Sequence, residues 1–244
     1  MAAVLLAVAA GVLAVRDGGG DEEAGAGPST SVSSVGPASA DEAPSSGPPS
    51  TDPGADADVP ATGGIALAEA DVALPFDTDG PLPPAGPAGE WVPGRGDWGV
   101  VDGQVVVAAP GEDEAVTYFT APGPDVEAQV TLPSASPGAG LAFRVEDDAN
   151  YLAWVIAPDG GRAVLIRVTD ARQVVLLDSE PIDLAPGVRL GVRTTGAALV
   201  LLVDGRVVAF ASDDESRSAP GVGLAVIGTD QPPVFDDVGA IFRD

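Results

Sequence analysis

Asp-Gly pairs set between β-branched runs constrain this chain more than any other feature in it. VVDGQVVVAA (100–109) and LVDGRVVAF (202–210) each place Asp-Gly between two such runs. A two-residue hairpin loop needs positive φ at both central positions, which Asp-Gly supplies, so each stretch is predicted to be a β-hairpin. IAPDGGRAVLIRV (156–168) repeats the arrangement with Asp-Gly-Gly, and LIRVTDARQVVLL (165–177) turns at Asp170-Ala171. Further strands are predicted at 115–120, 126–132, 187–194, 221–227 and 234–242. No window of helix length carries an amphipathic stripe. From Val72 onward the spacing of short strands predicts an all-β sandwich or barrel.

The chain before Val72 has another texture. Residues 17–64 are dominated by Gly, Pro, Ser, Ala and Asp, with no aromatic and no basic residue. Such a segment buries too little apolar surface to offset its ordering entropy, so 17–71 is expected to be a disordered, self-repelling acidic linker. Its end, IALAEAD (65–71), reads equally as linker or as a short helix. Residues 2–15, AAVLLAVAAGVLAV, are uninterruptedly apolar but shorter than the ~20 residues that span a bilayer comfortably. The length suits a signal-peptide core, although no basic segment precedes it and no cysteine follows for a lipid. Residues 1–16 are therefore expected to be a signal peptide or a membrane anchor, both readings standing, with Met1 as the true start also left open. Either way the domain is expected outside the cell, secreted or held at the surface, touching membrane only through this segment.

Composition removes most chemistry. Acidic residues number 37 against 11 basic, for a net charge of −26, and every basic residue is arginine. Nucleic acid is excluded as a partner, because its phosphates need clustered cations. Without cysteine, histidine or lysine, disulfides, Cys/His zinc sites, histidine bases and Schiff bases are all excluded. Catalysis would have to rest on carboxylates, tyrosine or hydroxyls. Three acidic runs, Glu112–Glu114, Glu146–Asp148 and Asp213–Glu215, fall in predicted turns, where charge is ordinarily solvated.

The stretch LAFRVEDDANYLAWVI (141–156) sets Arg144, Tyr151 and Trp154 in a hairpin with an acidic turn. Leu141, Phe143 and Val145 are expected on one face, with Ala142 and Arg144 on the other. A loop of Glu146–Asn150 puts Trp154 beside Arg144, and a loop one residue shorter puts Tyr151 there instead.

The succession GAGLAFRVEDDANYLAWVI, GGRAVLIRV, GVRLGVRTTGAALVLLVDGRVV, GVGLAV and VFDDVGAIF resembles the concanavalin A-like lectin/glucanase jelly roll. It is most similar to the laminin-G-like and family-16-glycosidase-like domains of bacterial exported proteins. The resemblance covers roughly residues 73–243 and is more specific in the order of its motifs than in any one of them. It implies a jelly-roll sandwich of two antiparallel sheets over 72–244, with a concave face on which a sugar binds. On that face Arg144, Tyr151, Trp154 and Arg167, with Arg193 as a further candidate, would supply stacking rings and forked donors. The competing reading has the arginines paired with acids and the aromatics in the core. The resemblance also implies calcium, with Asp236 of the F-D-D-V motif as a ligand and Asp77 or Asp79 as its partner. Asp147 and Asp148 are an alternative loop site, and a solvated turn-capping aspartate is the competing reading. Family-16 enzymes carry E-x-D-x-x-E on one strand, a pattern this chain lacks. The expectation is a non-catalytic extracellular carbohydrate-binding or adhesion module recognising a polysaccharide. The alternatives are a glycoside hydrolase-like enzyme and a structural or protein-interaction domain without a glycan.

Overall fold

The computed structural model describes residues 65–108, 114–229 and 232–243. The signal-or-anchor expectation for 1–16, and the linker expectation up to residue 64, lie outside them. Among the described residues fifteen strands follow in order. The first seven are β1 (Val72–Leu74), β2 (Val92–Arg95), β3 (Trp98–Val101), β4 (Gln104–Val107), β5 (Glu114–Thr120), β6 (Val126–Leu132) and β7 (Ala139–Asp147). Then come β8 (Asn150–Ile156), β9 (Ala163–Thr169), β10 (Arg172–Asp178) and β11 (Val188–Thr195). The last four are β12 (Ala198–Val203), β13 (Arg206–Ser212), β14 (Gly221–Ile227) and β15 (Val234–Phe242).

The predicted turns sit where the sequence puts them. Asp102 and Gly103 (φ 52° and 75°), and Asp204 and Gly205 (φ 49° and 73°), carry the paired positive φ of I′ loops. Asp170 and Ala171 (φ 49° and 59°) close the β9–β10 hairpin in the same way, without a glycine.

Pairing is antiparallel throughout and makes two sheets. The first runs β13-β12-β11-β6-β15-β4-β3, with β1 also on β15, and the second runs β10-β9-β8-β7-β14-β5-β2. Alternate residues of facing strands fill the space between them: Val126, Val130 and Leu132 from β6, and Leu141, Phe143, Leu152 and Trp154 from β7 and β8. The predicted jelly-roll sandwich is the observed fold. A second cluster, including Ala142, Val145, Tyr151, Ala153, Val155, Ile166 and Ala225, lies on the opposite face of the second sheet. These strands are buried on both faces, which explains why β8 and β14 read as near-continuous apolar runs.

The folded unit reaches back past Val72. Ile65 is buried, and its carbonyl accepts a 2.7 Å hydrogen bond from Gln129 Nε2. Leu67–Glu69 forms a single 3₁₀ turn, and Asp71 Oδ2 accepts from the Phe242 amide at 2.7 Å. Thus 65–71 belongs to the sandwich, because its backbone and Asp71 satisfy strands already in the first sheet.

Candidate functional site

The β7–β8 hairpin departs from the expected alternation at one residue. Arg144 has φ 49°, and the register between the strands shifts between Phe143 and Asp147. Neither expected loop forms. Asp147 pairs with Asn150 across a two-residue turn, and Asp147 Oδ1 accepts from the Ala149 amide and Asn150 Nδ2, each at 2.8 Å. The surplus residues make a bulge. Val145 therefore joins Ala142 on the outer face instead of Leu141 and Phe143, and Arg144 turns inward.

There Arg144 is 1% exposed. Its Nη1 donates to the Asp213 carbonyl at 2.5 Å and to Asp213 Oδ2 at 3.3 Å, and Nη2 donates to the Gly196 carbonyl. Arg167 on β9 reaches the same aspartate, donating to Asp213 Oδ1 and to Glu215 Oε2. The two arginines meet as the sequence suggested, but on a buried carboxylate that ties the 213–217 loop to the second sheet. Burial raises the Asp213 pKa, but the Ser216 hydroxyl, the Arg167 charge and two backbone amides outweigh it and leave Asp213 below the usual carboxylate range. Burial in turn lowers Arg144.

The two aromatic residues of the hairpin are not available to stack on a sugar. Trp154 is 0% exposed, and its indole N–H donates to the Leu202 carbonyl of the first sheet at 3.1 Å. Tyr151 is 2% exposed, and its hydroxyl donates to Glu114 Oε1. Burial first, and then that hydrogen bond, push the Tyr151 pKa far up. Glu114 in turn meets Arg95 Nη1 at 3.3 Å, and Arg95 lies 3.7 Å from Asp148. The hairpin tip is thereby fastened to β2. Arg193 is also engaged, forming a fork on Glu127 at 3.0 and 3.1 Å. Of the expected sugar ligands, Arg167 and the nearly buried Tyr151 line an opening, a cavity of about 130 Å³ shared with Glu146, Asn150 and Glu215.

Asp77 and Asp236 are brought within electrostatic reach of one another. Burial raises the Asp236 pKa, and the charges of Asp237 and Asp77 add to the rise. One Asp236 oxygen already accepts from the Asp237 amide at 2.8 Å. Calcium takes six to eight oxygens, and no group of three carboxylates that could hold a metal occurs among the described residues.

A larger opening lies at the other side of the sandwich. The chain leaves the second sheet at Arg95, turns at Gly96 and Asp97, and enters the first sheet at Trp98. Gly96 has φ 91°, and a Cβ there would come within 2.9 Å of Ala115 Cβ and Val107 Cγ2. Only glycine allows so tight a crossing. The residues on either side of it, with the loop at Pro81 and Leu82, line a cavity of about 290 Å³.

Trp91 and Trp98 form its aromatic walls. Trp91 packs edge-on against Phe119, with centroids 5.2 Å apart at 84°. Trp98 tilts on Phe235 at 5.8 Å and donates its N–H to the Arg95 carbonyl at 2.8 Å. Trp91 Nε1, by contrast, is buried and finds no acceptor among the described residues. Glu90 and Asp97, both exposed, add carboxylates at the same cavity. Thr117 completes the lining, its hydroxyl donating to the Val92 carbonyl at 3.2 Å.

This cleft was not among the sequence candidates. The signal was present as W-V-P-G-R-G-D-W (91–98), two tryptophans around a glycine-rich crossing. Pro93, Gly94 and Gly96 hide the strands on either side from any β-propensity reading.

No family model and no curated protein matches the chain. Among solved structures it resembles the carbohydrate binding module CBM66 from Bacillus subtilis, with TM-score 0.54 and 19% identity over 62% of this chain and 95% of that one. It also resembles the GH43 protein BlXynB from Bacillus licheniformis, with TM-score 0.51 and 15% identity over 70% of this chain and 39% of that one. The chain thus spans well under half the length of the second. These likenesses show a shared jelly-roll β-sandwich fold.

Proposed function

We propose that this chain is a carbohydrate-binding module and that the Trp91–Trp98 cleft holds the sugar. The observation that carries this reading is a cavity of about 290 Å³ walled by Trp91 and the half-buried Trp98 and flanked by two exposed carboxylates. A pyranose supplies the complements: a C–H face for an indole ring and hydroxyls to donate to Glu90 and Asp97. Carboxylates at the cleft, on a chain of net charge −26, select neutral or amino sugars and repel uronates and sulfated glycans. The likeness to a carbohydrate-binding module supports the class of function.

The module is exported and presented beyond the membrane on the acidic stretch that precedes it. The apolar run at 2–15 and the Gly/Pro/Ser/Asp composition of 17–64 support this placement.

The test is isothermal titration of the full chain with soluble neutral, amino and acidic oligosaccharides. Binding of a neutral or amino glycan that Trp98→Ala abolishes, with the melting curve still cooperative, supports the reading. Binding that survives Trp98→Ala overturns the cleft assignment. Failure of every glycan to bind overturns the function.

A further inference from the structure

The tryptophan cleft carries charge of one sign only. Each indole directly follows a carboxylate in the chain, as Glu90-Trp91 and Asp97-Trp98, and all four residues line the cavity. The rest of the lining is Pro81, Leu82, Pro93, Gly96 and Thr117, with no basic residue. Arg95 lies between the tryptophans in the chain, but its guanidinium is turned to Glu114 at 3.3 Å and Asp148 at 3.7 Å. Elsewhere the carboxylates of Glu114, Glu127 and Asp213 each meet an arginine. Among the described residues no arginine forms an ion pair with Glu90 or Asp97, and both are exposed.

The side-chain donors at the cleft are already taken. The Trp98 N–H donates to the Arg95 carbonyl at 2.8 Å and the Thr117 hydroxyl to the Val92 carbonyl at 3.2 Å. Trp91 Nε1 is shut off from solvent. What these side chains still offer a ligand is acceptor oxygens and the half-buried Trp98 ring. We propose that the cleft recognises a sugar with a free amine, its ammonium group held by Glu90, Asp97 and the Trp98 ring. This rests on the carbohydrate reading of the cleft and narrows it to amino sugars. An ammonium brings three donors and no acceptor, which matches a lining with acceptors to give and no side-chain donor to spare. It is also drawn to the face of an indole. An N-acetylated amine fits less well, because it is uncharged and its carbonyl requires a donor. Solvent screens both exposed carboxylates, so the preference over the acetylated sugar is modest, roughly tenfold.

The test is isothermal titration of the full chain with a glucosamine trisaccharide and with its N-acetylated counterpart. Mildly acidic buffer keeps the amines protonated and the carboxylates ionised. The expected result is roughly tenfold tighter binding of the free amine, an advantage that shrinks as salt rises from about 0.05 to 0.5 M. A net charge of −26 attracts any cation, so Trp98→Ala, which leaves every charge in place, must remove the binding. Glu90→Gln combined with Asp97→Asn should bring the ratio of the two affinities close to one, with melting curves as the check on folding. Equal or tighter binding of the N-acetylated trisaccharide overturns the inference and leaves the carbohydrate reading standing. Free-amine binding that persists in Trp98→Ala is adhesion to the acidic surface at large and overturns it as well. So does a preference indifferent to the double variant. If neither trisaccharide binds while a neutral glycan does, this inference alone falls, and if no glycan binds, both fall.

Discussion

The β7–β8 hairpin and the β2–β3 crossing each combine tryptophan, arginine and carboxylates, and they use them in opposite ways. In the hairpin, the polar side-chain atoms of Trp154, Tyr151 and of their neighbour Asp213 are engaged within the protein, although Arg144 Nε has no partner among the described residues, and the rings lie in the interior. At the crossing, the chain changes sheets within three residues, its two tryptophans come from different layers, and the Trp91 N–H has no acceptor among the described residues. A long strand pair with alternate residues facing inward consumes its aromatics in the core. At the glycine-bound crossing Trp91 still joins the core, whereas Trp98 is only half-buried against it and leaves part of its ring at the cavity. Residue type therefore says little about ligand binding without the side of the sheet on which the residue stands.

Exchanging the same substitution between the two regions gives the largest contrast. Trp154→Ala is expected to cost about 3–5 kcal/mol of stability, as removal of a fully buried indole does. Trp98→Ala should cost clearly less, since the residue is only half-buried, while removing glycan binding. Urea denaturation and titration calorimetry on both variants measure the two effects. Equal destabilisation with binding intact in both would erase the distinction drawn here.

Asp213 comes next. It faces two arginines with its side chain fully buried, so Asp213→Ala leaves charge without compensation and should cost about 3–5 kcal/mol. Its effect is also readable through pH. The folded-state pKa is lowered, so this contribution is complete above the unfolded carboxylate value of about 4 and declines as pH falls through the lower folded value. Asp213→Asn should flatten the loss of stability with acid in that window. An unchanged slope below about pH 4 would show that Asp213 is not held by these partners.

These two effects mark how far the sequence could be read. Most strands were legible because Asp-Gly pairs and β-branched runs are local signals, and β6, β14 and β15 fall at 126–132, 221–227 and 234–242 as expected. The bulge at Arg144 was not. A positive φ at arginine has no sequence signature, yet one such residue reverses Val145 and turns the guanidinium inward. The partners of Arg144 lie 69 and 52 positions away, at Asp213 and Gly196, a distance at which neither alternation nor spacing carries information. The cleft was missed for the converse reason. Pro93, Gly94 and Gly96 are what the crossing requires, and the same residues erase the strand pattern that would have drawn attention to Trp91 and Trp98.

A smaller test asks whether the hairpin tip is held by packing or by its hydrogen bond to Glu114. Tyr151→Phe keeps the ring and deletes the hydroxyl, leaving Glu114 with Arg95 as its remaining side-chain partner. The expected cost is about 1 kcal/mol. A loss approaching that of Trp154→Ala would mean that the Tyr151–Glu114–Arg95 chain, and not the ring, fixes the tip.

The smallest effect belongs to Glu127, on the outer face of the first sheet. Burial raises its pKa, but the hydrogen bonds and charges of Arg193 and Arg243 outweigh that and hold it below the usual value. Glu127 is nearly buried, whereas Arg193 and Arg243 are 29% and 51% exposed, so solvent screens much of the attraction. Glu127→Gln should therefore cost about 1 kcal/mol or less at neutral pH, and nothing in acid, where the wild-type carboxyl is itself protonated. A comparison with Asp213→Ala then isolates the role of burial, since each carboxylate is flanked by two arginines. If Glu127→Gln matched Asp213→Ala, the number of arginine partners and not their removal from water would set the strength of these clusters. The argument that the hairpin is closed by its buried polar groups would then fail.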